Sequence, residues 1–506
     1  RILIANNGTA AVRCIRSMRH WAYEALGNSK ALEFVVMATA ADIDANAEFI
    51  AEADFYVEVP PGPNSNNYAN LHLIVQTAET YECDAVWPGW GHASENHRLP
   101  AILQTLKRKT IWIGPSPQAM LALGDKIGSA VIAQSVNVPC VPWSGETRSP
   151  KRADTQPHSK TRRSISPPHF HTRESMHLSI SVSKVFLTCL WTHFAFPLHQ
   201  VLDCCAKIGY PVMIKASEGG GGKGIRRVTN AEEVADAYRQ VVNEVKGSPV
   251  FVMRMVSDCR HLEVQLLADK SGRCVSLGSR DCSIQRRCQK IIEEGPVVAA
   301  PPEVVSQMED AACRMAMAVG YENAGTCEFL YDPKTHQFAF LEVNARLQVE
   351  HVVTECVGDF NLPAAQLQVA MGILIDDIPD IKAYLDSAAS NKPVGKHIIA
   401  ARITAEHAEE SFRPTVGLVH ELTFRPSRFV WGYFSIGSKG NIHAFNDAQF
   451  GHLFAHGKDR REAVKHMVLA LKDMTIRGEL RTNVEALIKI LEHPDFVANE
   501  THTTWL

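Results

Sequence analysis

No stretch of this sequence strings together the roughly 20 apolar residues that a bilayer-spanning helix requires. The most apolar candidate, residues 185–197, is interrupted by Thr192, His193 and Pro197, so no membrane-spanning segment is expected. Charge of one sign does not accumulate either: Lys and Arg number 52 against 55 Asp and Glu, for a net charge of −3. Such a balance gives no ground for a nucleic-acid partner or an anionic membrane surface. The 13 cysteines include no pair at C-x-x-C spacing. That fits reduced thiols inside a cell better than a disulfide framework or a zinc knuckle. An internal repeat, an initiator Met and a signal peptide are all absent; the chain opens on Arg1 within RILIA and reads as part of a longer polypeptide. What is present, 45% hydrophobic and 21% charged residues over 506 positions, is a soluble globular composition with room for about three domains.

The N-terminal text alternates apolar strands (RILIA, EFVVMATA, DAVWPG, IWIGPS) with a helical pattern from Ala10 to about Ala25, which suggests a parallel, doubly wound sheet over residues 1–122. LALGDKIGSAVIAQSV then reads as helix, with Lys126 in its first turns. Between about Arg148 and His199 the composition shifts to Ser, Arg, His and Thr without a sustained period. Two readings of residues 147–200 stay open: a disordered basic insertion, or translated intron text from a gene-model error. A second domain, 123–362, resumes at VLDCCAKIGYPVMIKAS and carries the strand-like HLEVQLLAD, CVSLGS, GTCEFLYD and QFAFLEVNARLQVEH. A third, 363–506, mixes strands (HIIAARIT, LVHELTF) with the helix REAVKHMVLALKDM.

Three motifs carry chemistry. SEGGGGKG, residues 217–224, is neither a Rossmann fingerprint nor a Walker A loop, since it joins two strands and lacks the Ser or Thr after Lys223. It is either a flexible hairpin tip or a lid whose backbone N–H groups close over phosphates while Lys215 and Lys223 supply charge. Glu328 and Glu342 flank the turn-forming DPKTHQ, so a hairpin would face both carboxylates into one space with Asn344 two residues on. Such oxygen donors suit magnesium beside phosphates. As one extended strand, FLEVNARLQVEH (340–351) would place Glu342, Asn344, Arg346, Gln348 and Glu350 on one face. The basic run RDCSIQRRCQK, with Arg280 and Lys290, is a solvated face or an anion cradle.

In this order the pieces closely resemble the biotin carboxylase domain of eukaryotic acetyl-CoA carboxylase, of the ATP-grasp family. The matching text includes ILIANNGTAAVRCIRSMRHWAYE, WPGWGHASEN, GYPVMIKASEGGGGKGIR, RDCSIQRR, CQKIIEE, RLQVEH and FVWGYFSIG, and covers nearly the whole chain outside about 147–200. The resemblance implies an α/β fold: an N-terminal doubly wound pre-ATP-grasp domain, an ATP-grasp domain with a glycine lid, and an α+β C-terminal domain. It implies an ATP-dependent ligase that joins bicarbonate to biotin borne on a separate carrier domain. By motif, Lys126, Lys215, Gly219, Gly220, Gly221, Gly222, Lys223 and Gly224 would hold ATP phosphates, with His261 and Gln285 near adenosine. Glu328, Glu342 and Asn344 would hold Mg2+ or Mn2+; Lys290, Arg346, Gln348 and Val349 would surround bicarbonate. Glu350 would be the base, and Arg346 with Arg402 would steady the biotin enolate. Cys288 and Val352 stand where the family has His and Pro. No A-M-K-M biotin-attachment motif occurs, so the resemblance places the biotinylated carrier and carboxyltransferase domains elsewhere in a longer chain. It also implies a homo-oligomer, in the cytoplasm or alternatively in mitochondria.

Overall fold

The computed structural model describes residues 1–145, 196–219, 224–286, 289–390 and 395–506. Most of 147–200, both readings of it, Gly220 to Lys223 and Cys288 therefore lie outside the described residues. The chain divides into two compact units, one of Arg1–Gly124, Val256–Met317 and Tyr321–Leu506, the other of Asp125–Met255 with Ala318–Gly320.

The first unit opens with five parallel strands, β1 (Ile2–Ile4), β2 (Phe34–Thr39), β3 (Phe55–Val59), β4 (Ala85–Trp87) and β5 (Ile111–Trp112), in the order β3-β2-β1-β4-β5. Alternate residues feed two different cores. Ile2, Ile4, Phe34, Val36 and Trp87 pack with Val12 and Ile15 of the helix Gly8–Leu26, and Leu3, Val35, Met37 and Val86 pack with Ile74 and Leu99 of helices on the other face. A sheet covered on both faces needs apolar residues at every position, which is why these strands read as continuous apolar runs. The strand order reverses between β1 and β4, so the loops after them share the carboxyl edge where such sheets bind ligands. There the Asn6 amide donates to the carbonyls of Pro88 (2.7 Å) and Trp90 (2.8 Å). Gly89 between them has φ +64°, and a Cβ on it would lie 2.7 Å from the Trp87 ring and 2.9 Å from Asn6 Nδ2. Neither neighbour can yield, so Gly89→Ala is expected to lower the unfolding free energy by about 2–4 kcal/mol, read from urea midpoints.

The second unit holds an antiparallel sheet of β6 (Val212–Ala216), β7 (Ile225–Val228) and β8 (Val250–Arg254) in the order β7-β6-β8, with the SEGGGGKG segment joining β6 to β7. Its core is Val201, Cys205, Val212, Ile214, Val234, Val241 and Val252. Asp125 caps the helix Lys126–Ser135 through Gly128 N (2.6 Å) and accepts from Ser217 Oγ (2.5 Å), so Lys126 starts a helix tied to the end of the strand that carries Lys215.

The remaining strands belong to the first unit. β9 (Arg260–Ala268), β10 (Cys274–Arg286), β11 (Gln289–Gly295), β12 (Asn323–Asp332), β13 (Gln337–Asn344) and β14 (His397–Thr404) come first. After two short strands, β15 (Glu406–His407) and β16 (Arg413–Pro414), follow β17 (Gly417–Thr423), β18 (Val430–Phe434), β19 (Asn441–Ile442), β20 (Gln449–Gly457) and β21 (Thr475–Gly478). Eight of these form one sheet in the order β13-β12-β9-β10-β11-β14-β20-β18. Every residue of β9 is buried, including His261, Glu263 and Gln265.

The expected single strand over 340–351 does not form. β13 ends at Asn344, residues 345–350 turn, and the helix His351–Gly358 follows. The turn is closed by its own hydrogen bonds: His351 donates from its backbone (3.2 Å) and from Nδ1 (2.7 Å) to the Gln348 carbonyl. Burial pushes the His351 imidazole down to about 4, so near neutral pH the ring is uncharged and a single ring N–H makes that bond. Val352 lies in the first turn of the helix against Ile398, Tyr433 and Phe454. A first turn has no intrahelical use for its N–H, so Val and Pro are both accommodated there.

Candidate functional site

The sheet register lays ionisable groups side by side. Glu342 pairs with Glu328, Glu328 with Glu263, and Glu263 with Arg280, a row across β13, β12, β9 and β10 on one face. Three like charges in neighbouring cross-strand positions repel one another, and burial deepens the cost. Two cations offset it. Arg280, with no exposed surface, donates from Nε to Glu263 (2.6 Å), from Nη1 to Gln265 (2.8 Å) and Thr354 (2.7 Å), and from Nη2 to Gln348 (3.1 Å). The Lys290 ammonium lies 2.5 Å from Glu263, 2.9 Å from Glu328 and 2.5 Å from Glu350. The basic run of β10 is thus partly core: its solvated-face reading fails for Arg280.

The turn after β13 delivers the other expected groups to the same place by a different route from strand alternation. Asn344 Nδ2 (2.9 Å) and Gln348 Nε2 (2.8 Å) both donate to Glu328 Oε1, and Arg346 Nη2 donates to Asn344 Oδ1 (3.0 Å). Arg346 Nε reaches Glu95 (2.8 Å), whose side chain is 55% exposed, so this pair adds little stability. Glu350 Oε1 accepts from Lys290, and its Oε2 from Arg402 Nη2 at 2.9 Å. Val349 is half-buried in the same turn, and Gln285 pairs with Lys290 across β10 and β11.

Electrostatics follow from this packing. Burial opposes ionisation of Glu350, yet Lys290, Arg402 and Arg280 together hold its carboxyl well below the usual carboxylate range. The same contest, burial against Lys290 and His261, leaves Glu328 well below its ordinary value. Burial alone would lower the Lys290 pKa, but Glu263, Glu328 and Glu350 outweigh it and hold it well above normal. The site therefore keeps Lys290, Arg280 and Arg402 charged and Glu328 and Glu350 ionised at neutral pH.

His261 stands 3.1 Å from Glu328. With Glu263 and Glu328 it forms a cluster whose ligand atoms lie within 4.8 Å of one another, but Lys290 already supplies the positive charge to both carboxylates. By donor type the oxygens of Glu328, its cross-strand partner Glu342 and Asn344 suit a hard divalent cation, although Asn344 here turns Nδ2 to Glu328 and Oδ1 to Arg346. Lys126, Lys215, Gly219 and Gly224 belong to the second unit. Gly224, at φ +69°, lies so close to Val245 and Ala216 that a Cβ would meet them at 2.8 and 3.0 Å.

Residues 1–120 match the family profile of the biotin carboxylase N-terminal domain, residues 195–378 that of the carbamoyl-phosphate synthase L chain ATP-binding domain, and residues 400–506 that of the biotin carboxylase C-terminal domain. The chain belongs to the biotin carboxylases. It is 51% identical over 517 residues to a mitochondrial acetyl-CoA carboxylase of Saccharomyces cerevisiae and 49% identical over 522 residues to the acetyl-CoA carboxylase of Dictyostelium discoideum. Each alignment takes in all of this chain but 22% of the relative, so the chain spans about a fifth of their length. Among solved structures, a Campylobacter jejuni biotin carboxylase in complex with β,γ-ATP matches with a TM-score of 0.81 at 29% identity, covering 100% of this chain and 97% of that one. The biotin carboxylase domain of a Hydrogenobacter thermophilus 2-oxoglutarate carboxylase, with MgADP, ADP and bicarbonate, matches with a TM-score of 0.81 at 26% identity, covering 100% and 96%.

Within this biotin carboxylase fold, sequence reasoning missed Glu263, Glu293 and His452, and left Arg280 undecided. A signal existed for Glu263: HLEVQLL places charged and amide groups in a segment apolar enough to be covered on both faces. No comparable signal marks His452, one of 22 histidines, until the register sets it opposite Arg402.

Proposed function

We propose that this chain performs the biotin carboxylase half-reaction of an acetyl-CoA carboxylase, the first step toward malonyl-CoA in fatty acid synthesis. Bicarbonate oxygen attacks the γ-phosphorus of ATP, the bond to ADP breaks, and carboxyphosphate forms. Its carboxyl carbon then passes to N1 of biotin, carried on a separate biotinylated domain; the C–O bond to phosphate breaks, and the released phosphate takes up the N1 proton. The observation that carries this reading is the convergence of Lys290, Glu350 and Arg402 beside the Glu328 and Glu342 pair, with Asn344 bonded to Glu328.

Lys290, Arg346, Gln348 and Val349 hold bicarbonate, and Glu350 accepts its proton. A carboxylate with so low a pKa is a weak base while Lys290 and Arg402 serve it alone. Deprotonated bicarbonate carries a second negative charge that competes for the same cations, so the base strengthens as the proton moves. Arg402 and Arg346 then stabilise the oxygen of the biotin enolate as N1 is made nucleophilic. Lys126, Lys215, Lys223 and Gly219 to Gly224 hold the ATP phosphates, with His261 and Gln285 toward adenosine. Glu328, Glu342 and Asn344 would hold magnesium or manganese, which when bound neutralises phosphate charge.

Carrier and carboxyltransferase domains in the same longer chain, and a homo-oligomeric assembly, complete this proposal. No helix among the described residues is long and apolar enough to cross a membrane; we place the protein in the cytoplasm, with mitochondria as the alternative. The test is ATP cleavage by the purified protein. It is expected to require bicarbonate and to rise on adding free biotin; a folded, ATP-binding sample without that dependence would refute the proposal.

A further inference from the structure

β14 runs between β11 and β20, and the register puts three polar residues on one face of that ribbon. Arg402 pairs directly with His452, while Glu293 pairs with Ala400, two residues from Arg402 on the same side. Glu293 divides its oxygens between them: Oε1 lies 2.5 Å from Arg402 Nε and Oε2 lies 3.3 Å from His452 Nε2. Arg402 Nη2 is then left to Glu350 at 2.9 Å. His452 has no exposed surface, its ring is held 4.3 Å from Phe454 and 6.1 Å from Tyr433, and its Nδ1 has no hydrogen-bond partner among the described residues. The ring N–H that makes a bond is therefore the one on Nε2, toward Glu293.

From this geometry we infer that His452 is a positioning residue for the biotin step, acting through Glu293 on Arg402; the inference rests on the function proposed above. Nε and Nη2 form the edge of a guanidinium that one carboxylate can bridge with both oxygens. Unrestrained, Glu293 would take that bidentate grip and draw Nη2 away from Glu350. By occupying Oε2, His452 keeps Glu293 on Nε alone, so Arg402 spans two carboxylates and its plane is set. A buried carboxylate oxygen left without a donor would also carry a desolvation penalty, which drives the same rearrangement. A purely structural role would need only an apolar side chain of similar volume between Tyr433 and Phe454.

The discriminating pair is His452→Leu, which fills the space without a donor, and His452→Gln, which keeps an N–H. Both are assayed in the full chain for ATP cleavage at varied biotin and varied ATP, alongside thermal unfolding. His452→Leu is expected to raise the KM for free biotin about ten-fold, less than loss of a direct oxyanion donor, with the KM for ATP within about two-fold. His452→Gln is expected to recover most of that loss. An unchanged biotin KM in His452→Leu, equal defects in Leu and Gln, or parallel losses for ATP and biotin would overturn the positioning role. Should His452→Leu not fold, His452→Asn, polar but too short to reach Glu293, carries the same expectation. A wild-type chain without bicarbonate-dependent ATP cleavage overturns the functional reading itself; an active wild type with an indifferent His452→Leu overturns this inference alone.

Discussion

Replacing Lys290 by Met is expected to destabilise the protein by about 3–5 kcal/mol, the scale seen when one partner is removed from a buried ionic cluster. Its ammonium lies within 2.9 Å of Glu263, Glu328 and Glu350, none of them more than 5% exposed. Without it, Arg280 and Arg402 remain, but the cross-strand Glu263 and Glu328 lose their common cation. The pH dependence has a definite sign. Glu328 and Glu350 have folded pKa values below the ordinary Glu value of about 4.3, so the unfolded chain binds protons more readily than the native one in acid. Their contribution is complete above that value and is lost as pH falls through the depressed folded values. Lys290 is raised, so its contribution is complete below about pH 10.4 and is lost as pH climbs through its higher folded value. In Lys290→Met both carboxyls relax upward toward the unfolded value, so the acid limb should become shallower: less stability is lost between about pH 5 and pH 3 than in the wild type. Urea midpoints measured between pH 3 and pH 8, at roughly unit spacing, would show this. An acid limb of unchanged depth in the variant would mean that Glu328 and Glu350 do not depend on the lysine.

Glu350→Gln and Glu342→Gln should fail in different ways, although eight residues apart in one segment. Glu350 is the proton acceptor in the proposed reaction, and removing a general base costs about 10²–10⁴-fold in rate. The amide keeps the shape, so ATP affinity measured by calorimetry should change less than about two-fold while biotin carboxylation stops. Glu342 lies across from Glu328, at the end of the row proposed to hold the metal. Its amide variant should raise the metal–ATP concentration needed for half-maximal rate by about ten-fold or more, as loss of a ligand does, with smaller effects on biotin. Equal loss of folding stability in both variants, with unaltered kinetics, would leave these residues a structural role alone.

Much of this was written in the chain. The parallel sheet showed as apolar runs broken by helical periods, because strands covered on both faces cannot be amphipathic. The hairpin that carries Glu328 and Glu342 showed because DPKTHQ is turn chemistry, but the register from Asp332↔Gln337 to Phe329↔Phe340 points Glu328 at Leu341, and only the shift between Glu328 and Phe329 sets it opposite Glu342. The error over 345–350 has a physical source. Polar and apolar residues go on alternating through RLQVE, yet the ladder stops at Asn344 and His351 closes a turn onto the Gln348 carbonyl. Hydrogen bonds of that kind leave no mark in a period of two.

By itself, then, the sequence determined the sheet-forming segments, the phosphate-lid candidate and the list of residues able to do acid–base and metal chemistry, since these depend on residue type and local pattern. Only the tertiary structure decided how that list is wired. Register across eight strands brings Glu342, Glu328, Glu263 and Arg280 into one row. It also sets Arg402 opposite His452, and burial makes Arg280 and Lys290 counter-ions of the core. Pairing between strands far apart in the chain is fixed by the collective packing of the sheet, and in FLEVNARLQVEH that packing, with one short turn, put Glu350 between Lys290 and Arg402.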